Sequence, residues 1–179
     1  MEVGRNDWAE TEDHSVEAVF VERFESFYRR EQPGLIGLAY TLTGSRRGAD
    51  DLAQDALFAA YRNWERISTF DDPGAWVRRV LANAAVSKFR RFKSEAKALA
   101  RMGAPTHVMP DISAESAHVW AEVRKLPKRQ SQCVALYYYE GSTVEDIAEI
   151  LQVSTGAVKT HLSRARAKLE VVLGEGGRP

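Results

Sequence analysis

A single cysteine, Cys133, is present among 179 residues, which excludes an internal disulfide. That thiol and four scattered histidines show no metal-ligand spacing, so no metal or other cofactor is expected, and Cys133 reads as a small buried hydrophobe. No apolar run approaches the roughly 20 residues that cross a bilayer, so no membrane insertion is expected. The opening "MEVGRNDWAETEDHSVEAVF" is polar and acidic where an export signal is basic and then apolar, which leads us to expect a cytoplasmic protein. Runs of alternating β-branched residues are missing as well, and helix formers dominate. An all-α fold is expected.

Net charge is also lacking: the formal sum is zero, which by itself argues against a polyanionic partner. The charges are nevertheless segregated. Residues 1–22 carry seven acids and one base, residues 78–101 eight bases and one acid, and residues 154–169 four bases and no acid. A polyanion responds to the local field, so two basic segments matter more than the sum.

The stretch "MGAPTHVMPDIS" interrupts helical patterns with two prolines and a glycine. We therefore expect two small helical domains on a flexible linker: an acidic mobile tail over 1–21, a first domain over 22–101, a linker over 102–113, a second domain over 114–173 and a tail over 174–179. Phe24, Phe27, Tyr28, Leu35, Leu38 and Leu42 recur at helical spacing, with Pro33 expected to kink or break the helix between them. A second helix, from about 47 to 64, has a broad stripe of Leu52, Ala53, Ala56, Leu57, Ala60, Tyr61 and Trp64 to bury. Asp72 as N-cap and Pro73 at the first helical position announce a third, running to about Phe92 with Val77, Val80, Leu81 and Ala84 inward.

Near the C-terminus, Thr143 and Asp146 fit a capping box before a short apolar-faced helix ending near Gln152. Ser154 offers a second N-cap, after which Val158, Leu162, Ala165 and Leu169 form a stripe. Two short helices joined by about three residues, the second with a basic side, match a helix-turn-helix. Opposite the stripe, Thr155, Gly156, Lys159, Thr160 and Ser163 are short or flexible enough to enter a major groove. Arg164, Arg166 and Lys168 near the flanks can reach phosphates. Acids are missing there because each would repel DNA.

On the second helix, Asp50, Asp51, Gln54 and Asp55 share a side with Phe58 and Arg62. Such a cluster suits a solvated face near a helix N-terminus or a protein interface. It also has a loose likeness to the aspartate-rich magnesium motifs of all-α isoprenoid enzymes, which need a larger cavity and a second acidic motif than this chain offers.

The stretches "GADDLAQDALFAAYRNWERI", "DDPGAWVRRVLANAAVSKFRR" and "LPKRQSQCVALYYYEGSTVEDIAEILQVSTGAVKTHLSRARAKL" together resemble the extracytoplasmic-function, or group IV, sigma factors of bacterial RNA polymerase. The resemblance spans about residues 22–173, with its motifs in family order around a linker. It implies a non-enzymatic factor that binds core RNA polymerase, directs it to promoters and helps melt them. By match, Asp51, Gln54, Asp55 and Phe58 would meet the coiled coil of the beta-prime clamp, and the beta subunit is a further expected contact. Phe70, Trp76, Arg79, Asn83, Ser87 and Arg90 would face the minus-ten element, with Asn83 reading a flipped base. Arg78, Lys88, Arg91 and Lys93 would hold backbone phosphates. Thr155, Lys159, Thr160, Ser163, Arg164 and Arg166 would face the minus-35 element. A dedicated anti-sigma factor is the other partner the resemblance implies.

Three positions depart from the family pattern: Ser87 where an aspartate is common, Gln152 where the turn has glycine, and His161 in place of an arginine. They put copied base preferences in doubt. Two rivals make different demands. A response-regulator-type factor would bring an α/β receiver domain, for which no strand pattern exists here. A helical adaptor would have no use for two basic segments interleaved with aromatics.

Overall fold

The structure, a computed structural model, describes the backbone of residues 9–85 and 114–175 and the side chains of residues 23–85 and 116–174. Among the described residues every regular element is helical. A front module comprises α1 (Ala9–Thr43), α2 (Arg46–Arg62), a single turn α3 (Trp64–Ile67) and α4 (residues 73–85). A rear module comprises α5 (Ala114–Val123), α6 (Lys128–Val134), which continues as a π-helical turn over Ala135–Tyr139, then α7 (Val144–Leu151) and α8 (Thr155–Glu175). The expected linker over 102–113 lies outside the described residues.

Helix α1 differs from its sequence-based expectation in two ways. Its backbone is helical from Ala9, so much of the stretch assigned to a mobile acidic tail continues the first helix. "AETEDHSVEAVFVERF" is rich in helix formers, and acids in early turns favour the positive end of the helix dipole. Pro33 does not break α1 either. It is exposed, so the Arg29 carbonyl that loses its intrahelical donor faces water. The apolar residues on either side, Phe27 before it and Leu35, Leu38 and Leu42 after it, are all buried and hold the two halves in line.

Hydrophobic periodicity accounts for most of the front module. Leu52, Ala53, Ala56, Leu57 and Ala60 of α2 are buried along α1, and Ser45 caps α2 through its hydroxyl, which accepts from the Gly48 N–H at 3.1 Å. Tyr61 departs from the expected stripe: it is 44% exposed and meets Phe24 only edge-on, with ring centroids 5.1 Å apart. Trp64 is buried as expected, although α2 stops at Arg62 with Asn63 as its cap, and the new turn brings its indole to 4.8 Å from the Phe27 ring. Helix α4 begins at Pro73 as expected, and buries Val77 and Leu81 completely, while Val80 and Ala84 are half-covered.

In the rear module α6, α7 and α8 close around Leu136, Ile147, Leu151, Val158 and Leu162. Cys133 is buried as expected, and desolvation pushes its thiol up to about 11, leaving it protonated and inert. The buried side chains of the two modules form one continuous cluster, α1 packing on both α5 and the π turn.

Candidate DNA and protein interfaces

The acidic side of α2 stands clear of the core. Asp51, Gln54, Asp55 and Phe58 occupy positions i, i+3, i+4 and i+7, so one face presents them all, and each is exposed. Phe58 is 62% exposed, and beside it Tyr61 leaves a second ring partly uncovered. Carboxylates around an uncovered aromatic are the makings of a protein interface with a basic partner.

At the far end of the front module, α3 and α4 are joined by a short loop bearing Phe70, which is 40% exposed and carries the Arg66 guanidinium 6.0 Å above its ring. Thr69, Phe70, Asp71, Asp72, Trp76 and Arg79 line a cavity of about 450 Å³, and Glu149 and Gln152 of the rear module form part of its wall. Asn83 is exposed on α4 two turns further on. The structure thus brings Phe70, Trp76 and Arg79 together and leaves Asn83 along the same helix. Ser87 and Arg90 lie outside the described residues, as do the phosphate-binding expectations at Lys88, Arg91 and Lys93.

The helix-turn-helix is built as its caps dictate. The Thr143 hydroxyl accepts from the Asp146 N–H at 3.1 Å and the Asp146 carboxylate accepts from the Thr143 N–H at 2.9 Å. The Thr143 hydroxyl and backbone bonds hold the Asp146 carboxyl below its ordinary value. Helix α7 ends with Gln152 left-handed, at φ 53° and ψ 52°, and the Val153 N–H returns to the Ala148 carbonyl at 3.0 Å. Ser154 then caps α8 by accepting from the Ala157 N–H at 3.1 Å.

On α8, Thr155, Gly156, Lys159, Thr160, Ser163 and Arg164 are all exposed opposite the buried Val158, Leu162 and Ala165. Arg166 is engaged elsewhere. Its Nε donates to the Tyr138 hydroxyl at 2.8 Å, and its guanidinium lies 5.8 Å from the rings of both Tyr137 and Tyr138. Tyr138's hydroxyl raises the Arg166 pKa. His161 is half-buried, with its Nδ1 shielded and unpartnered among the described residues.

Sequence reasoning missed an apolar groove of about 790 Å³ between α5 and α8, walled by Val119, Trp120, Val123, Val134, Leu169 and Leu173. It also missed the polar contacts of Glu140, Arg124 and Gln132 between modules, of which only Glu140 falls in a conspicuous stretch, "YYYE".

Residues 27–95 match the family profile described as Sigma-70 region 2, and residues 119–169 the one described as Sigma-70, region 4. The RNA polymerase sigma-E factor of Streptomyces coelicolor is 32% identical over 149 residues, covering 82% of this chain and 83% of its own length. The chain belongs to the extracytoplasmic-function sigma factors of the sigma-70 family. The sigma factor SigM of Mycobacterium tuberculosis is 29% identical over 157 residues, covering 84% of this chain and 77% of its own length. The fold is shared with sigma factor RpoE of Bartonella quintana, solved with the anti-sigma factor NepR, at a TM-score of 0.67, 24% identity and coverage of 86% of this chain and 98% of that one. CnrH, solved with the cytosolic domain of CnrY, aligns at a TM-score of 0.63 and 25% identity, over 85% of this chain and 88% of that one. As a member of this family, the sigma factor directs RNA polymerase to promoters, and core polymerase and promoter DNA are its partners. Among the described residues no helix is long and apolar enough to cross a membrane, and no group of side chains is placed to hold a metal.

Proposed function

We propose that the two modules divide initiation between them, with α2 gripping polymerase, α3–α4 opening the minus-ten element and α8 reading the minus-35 element. The domain boundaries follow the sequence, with region 2 over 22–101 and region 4 over 114–173. Asp51, Gln54, Asp55 and Phe58 meet the basic coiled coil of the beta-prime clamp, and the apolar groove of region 4 is the surface available to the beta subunit. Melting costs a few kcal/mol per flipped base, and stacking on an aromatic face returns about 1 to 3. Phe70 and Trp76 supply such faces beside Arg79, and Asn83 has the amide donor and acceptor to read an extruded base. Lys159, Thr160, Ser163 and Arg164 lie in the minus-35 major groove. The factor acts where core polymerase is, in the cytoplasm, and has no catalytic group of its own. An anti-sigma factor restrains it, a reading supported by the relatives solved with theirs.

The observation that carries this reading is the exposed carboxylate face of α2 around a largely uncovered Phe58. The double variant Asp51→Ala/Asp55→Ala, with its helical circular dichroism intact, should assemble with core polymerase at least ~10-fold more weakly, the loss typical of central interface residues. Run-off transcription should fall with it. Assembly at parental strength would overturn the reading.

A further inference from the structure

Helix α8 outlasts the core that it packs on. Ala165 is buried and Leu169 half-buried, but beyond them Val171 and Val172 are 59% and 44% exposed. Valine is a weaker helix former than alanine or leucine, because its branched Cβ loses rotamer freedom against the preceding turn. A pair of them in water at the end of a helix has no local reason to be there. Beside them lies a predominantly apolar groove of about 480 Å³, with Leu126 and Pro127 of the α5–α6 turn on one side and Leu169, Val171 and Val172 on the other. Glu122, Lys125 and Lys168 complete its lining, and Glu122 and Lys125 are paired with each other.

Lys168 is exposed and meets no acid along its own helix, where its neighbours at i±3 and i±4 are Arg164, Ala165, Val171 and Val172. Positions 168, 171, 172 and 175 are spaced i, i+3, i+4 and i+7, so one face of α8 carries the order lysine, valine, valine, glutamate. That order is its own complement. When two such faces meet antiparallel about a two-fold axis, valine meets valine in the middle and each lysine meets a glutamate, along ~10 Å of helix at ~1.5 Å per residue.

We propose that this face of α8 is a self-association surface on which a second copy of the chain docks antiparallel, Lys168 against Glu175 with the valine pairs between them. The partner is protein rather than DNA, because a phosphate backbone gains nothing from Val171 and Val172. It is a second copy rather than an unrelated protein, because charges of both signs stand in an order that satisfies itself. Leu126 and Pro127 widen the apolar floor that the second copy's valines meet. A patch this small lies at the low end of specific interfaces, so the dimer forms with a Kd of about 10–100 µM. None of the four positions belongs to the sets proposed above for polymerase or promoter DNA, so the test stands apart from that reading.

The experiment is sedimentation velocity of the full-length chain, free of polymerase and DNA, between ~5 and ~500 µM, a range that brackets the expected midpoint. The weight-average mass of the parent should climb from 20.1 kDa towards twice that value. Val171→Gln/Val172→Gln removes apolar area while keeping good helix formers at exposed positions, and should weaken association at least ~10-fold. Lys168→Glu and Glu175→Lys should each weaken it roughly threefold or more, since each sets like charges opposite one another. The double variant Lys168→Glu/Glu175→Lys restores opposite charges and should recover the parental midpoint. Helical circular dichroism checks that every variant is folded. A parent that stays monomeric throughout overturns the proposal, whether the valines are then covered by another protein or by the chain's own residues. So does a glutamine pair that associates like the parent, or a charge-swapped variant no tighter than either single one.

Discussion

Gln152 shows what one residue's chemistry reveals and hides. A turn was legible there because apolar periodicity stops and Ser154 restarts it, and the residue does adopt left-handed backbone at φ 53°. A side chain in that region costs roughly 1 kcal/mol or more, since its Cβ crowds the following carbonyl. Gln152→Gly should therefore raise the thermal midpoint of the chain by the equivalent of about 1 kcal/mol in differential scanning calorimetry. A lower midpoint would mean that the Gln152 side chain, at the wall of the cavity beside Phe70 and Trp76, contributes more than its backbone costs. Thr143 and Asp146 were legible for a related reason: a capping box is complete within four residues. Arg166 was not, because the tyrosines that engage it come from a different element.

At the scale of elements, the recognition helix α8 and the acidic helix α2 were readable from period and sign of charge. Both expose the expected face because their apolar stripes leave only one orientation that buries Val158 and Leu162, or Leu52 and Ala56. The paired variant Lys159→Ala/Arg164→Ala removes two exposed cations and no packing. It should weaken binding to duplex promoter DNA and make the salt dependence shallower by about 1.8, at ~0.9 per lost phosphate contact, in a filter-binding titration. An unchanged slope would show that these side chains face solvent in the complex. Element ends were less legible. Pro33 marks no break in α1, since its cost is confined to one solvent-facing carbonyl, and α2 stops at Arg62, leaving Tyr61 half-exposed while Trp64 is buried from the next turn.

For the whole molecule, the continuous core and the bonds across it make the two modules one cooperative body in the free state. Calorimetry of the full chain should give a single unfolding transition, and two resolved transitions would refute that coupling. Gln132→Ala should lower its stability by about 1–3 kcal/mol, because the buried Ala82 carbonyl loses its donor. A cost confined to a rear-module transition would place Gln132 outside the shared body.

By itself the sequence determined the all-α class, the front and rear helices, the caps, and the acidic and basic faces. Each is a property of neighbours three or four residues apart, where helical geometry converts order along the chain directly into position. Only tertiary structure decided that Arg78 is shared between Glu31 and Glu140, that Tyr139 rests on Gly37, and that Arg166 belongs to two tyrosines. Those pairings join residues as far as 102 positions apart, and nothing in local periodicity records which distant side chain a folded helix will meet.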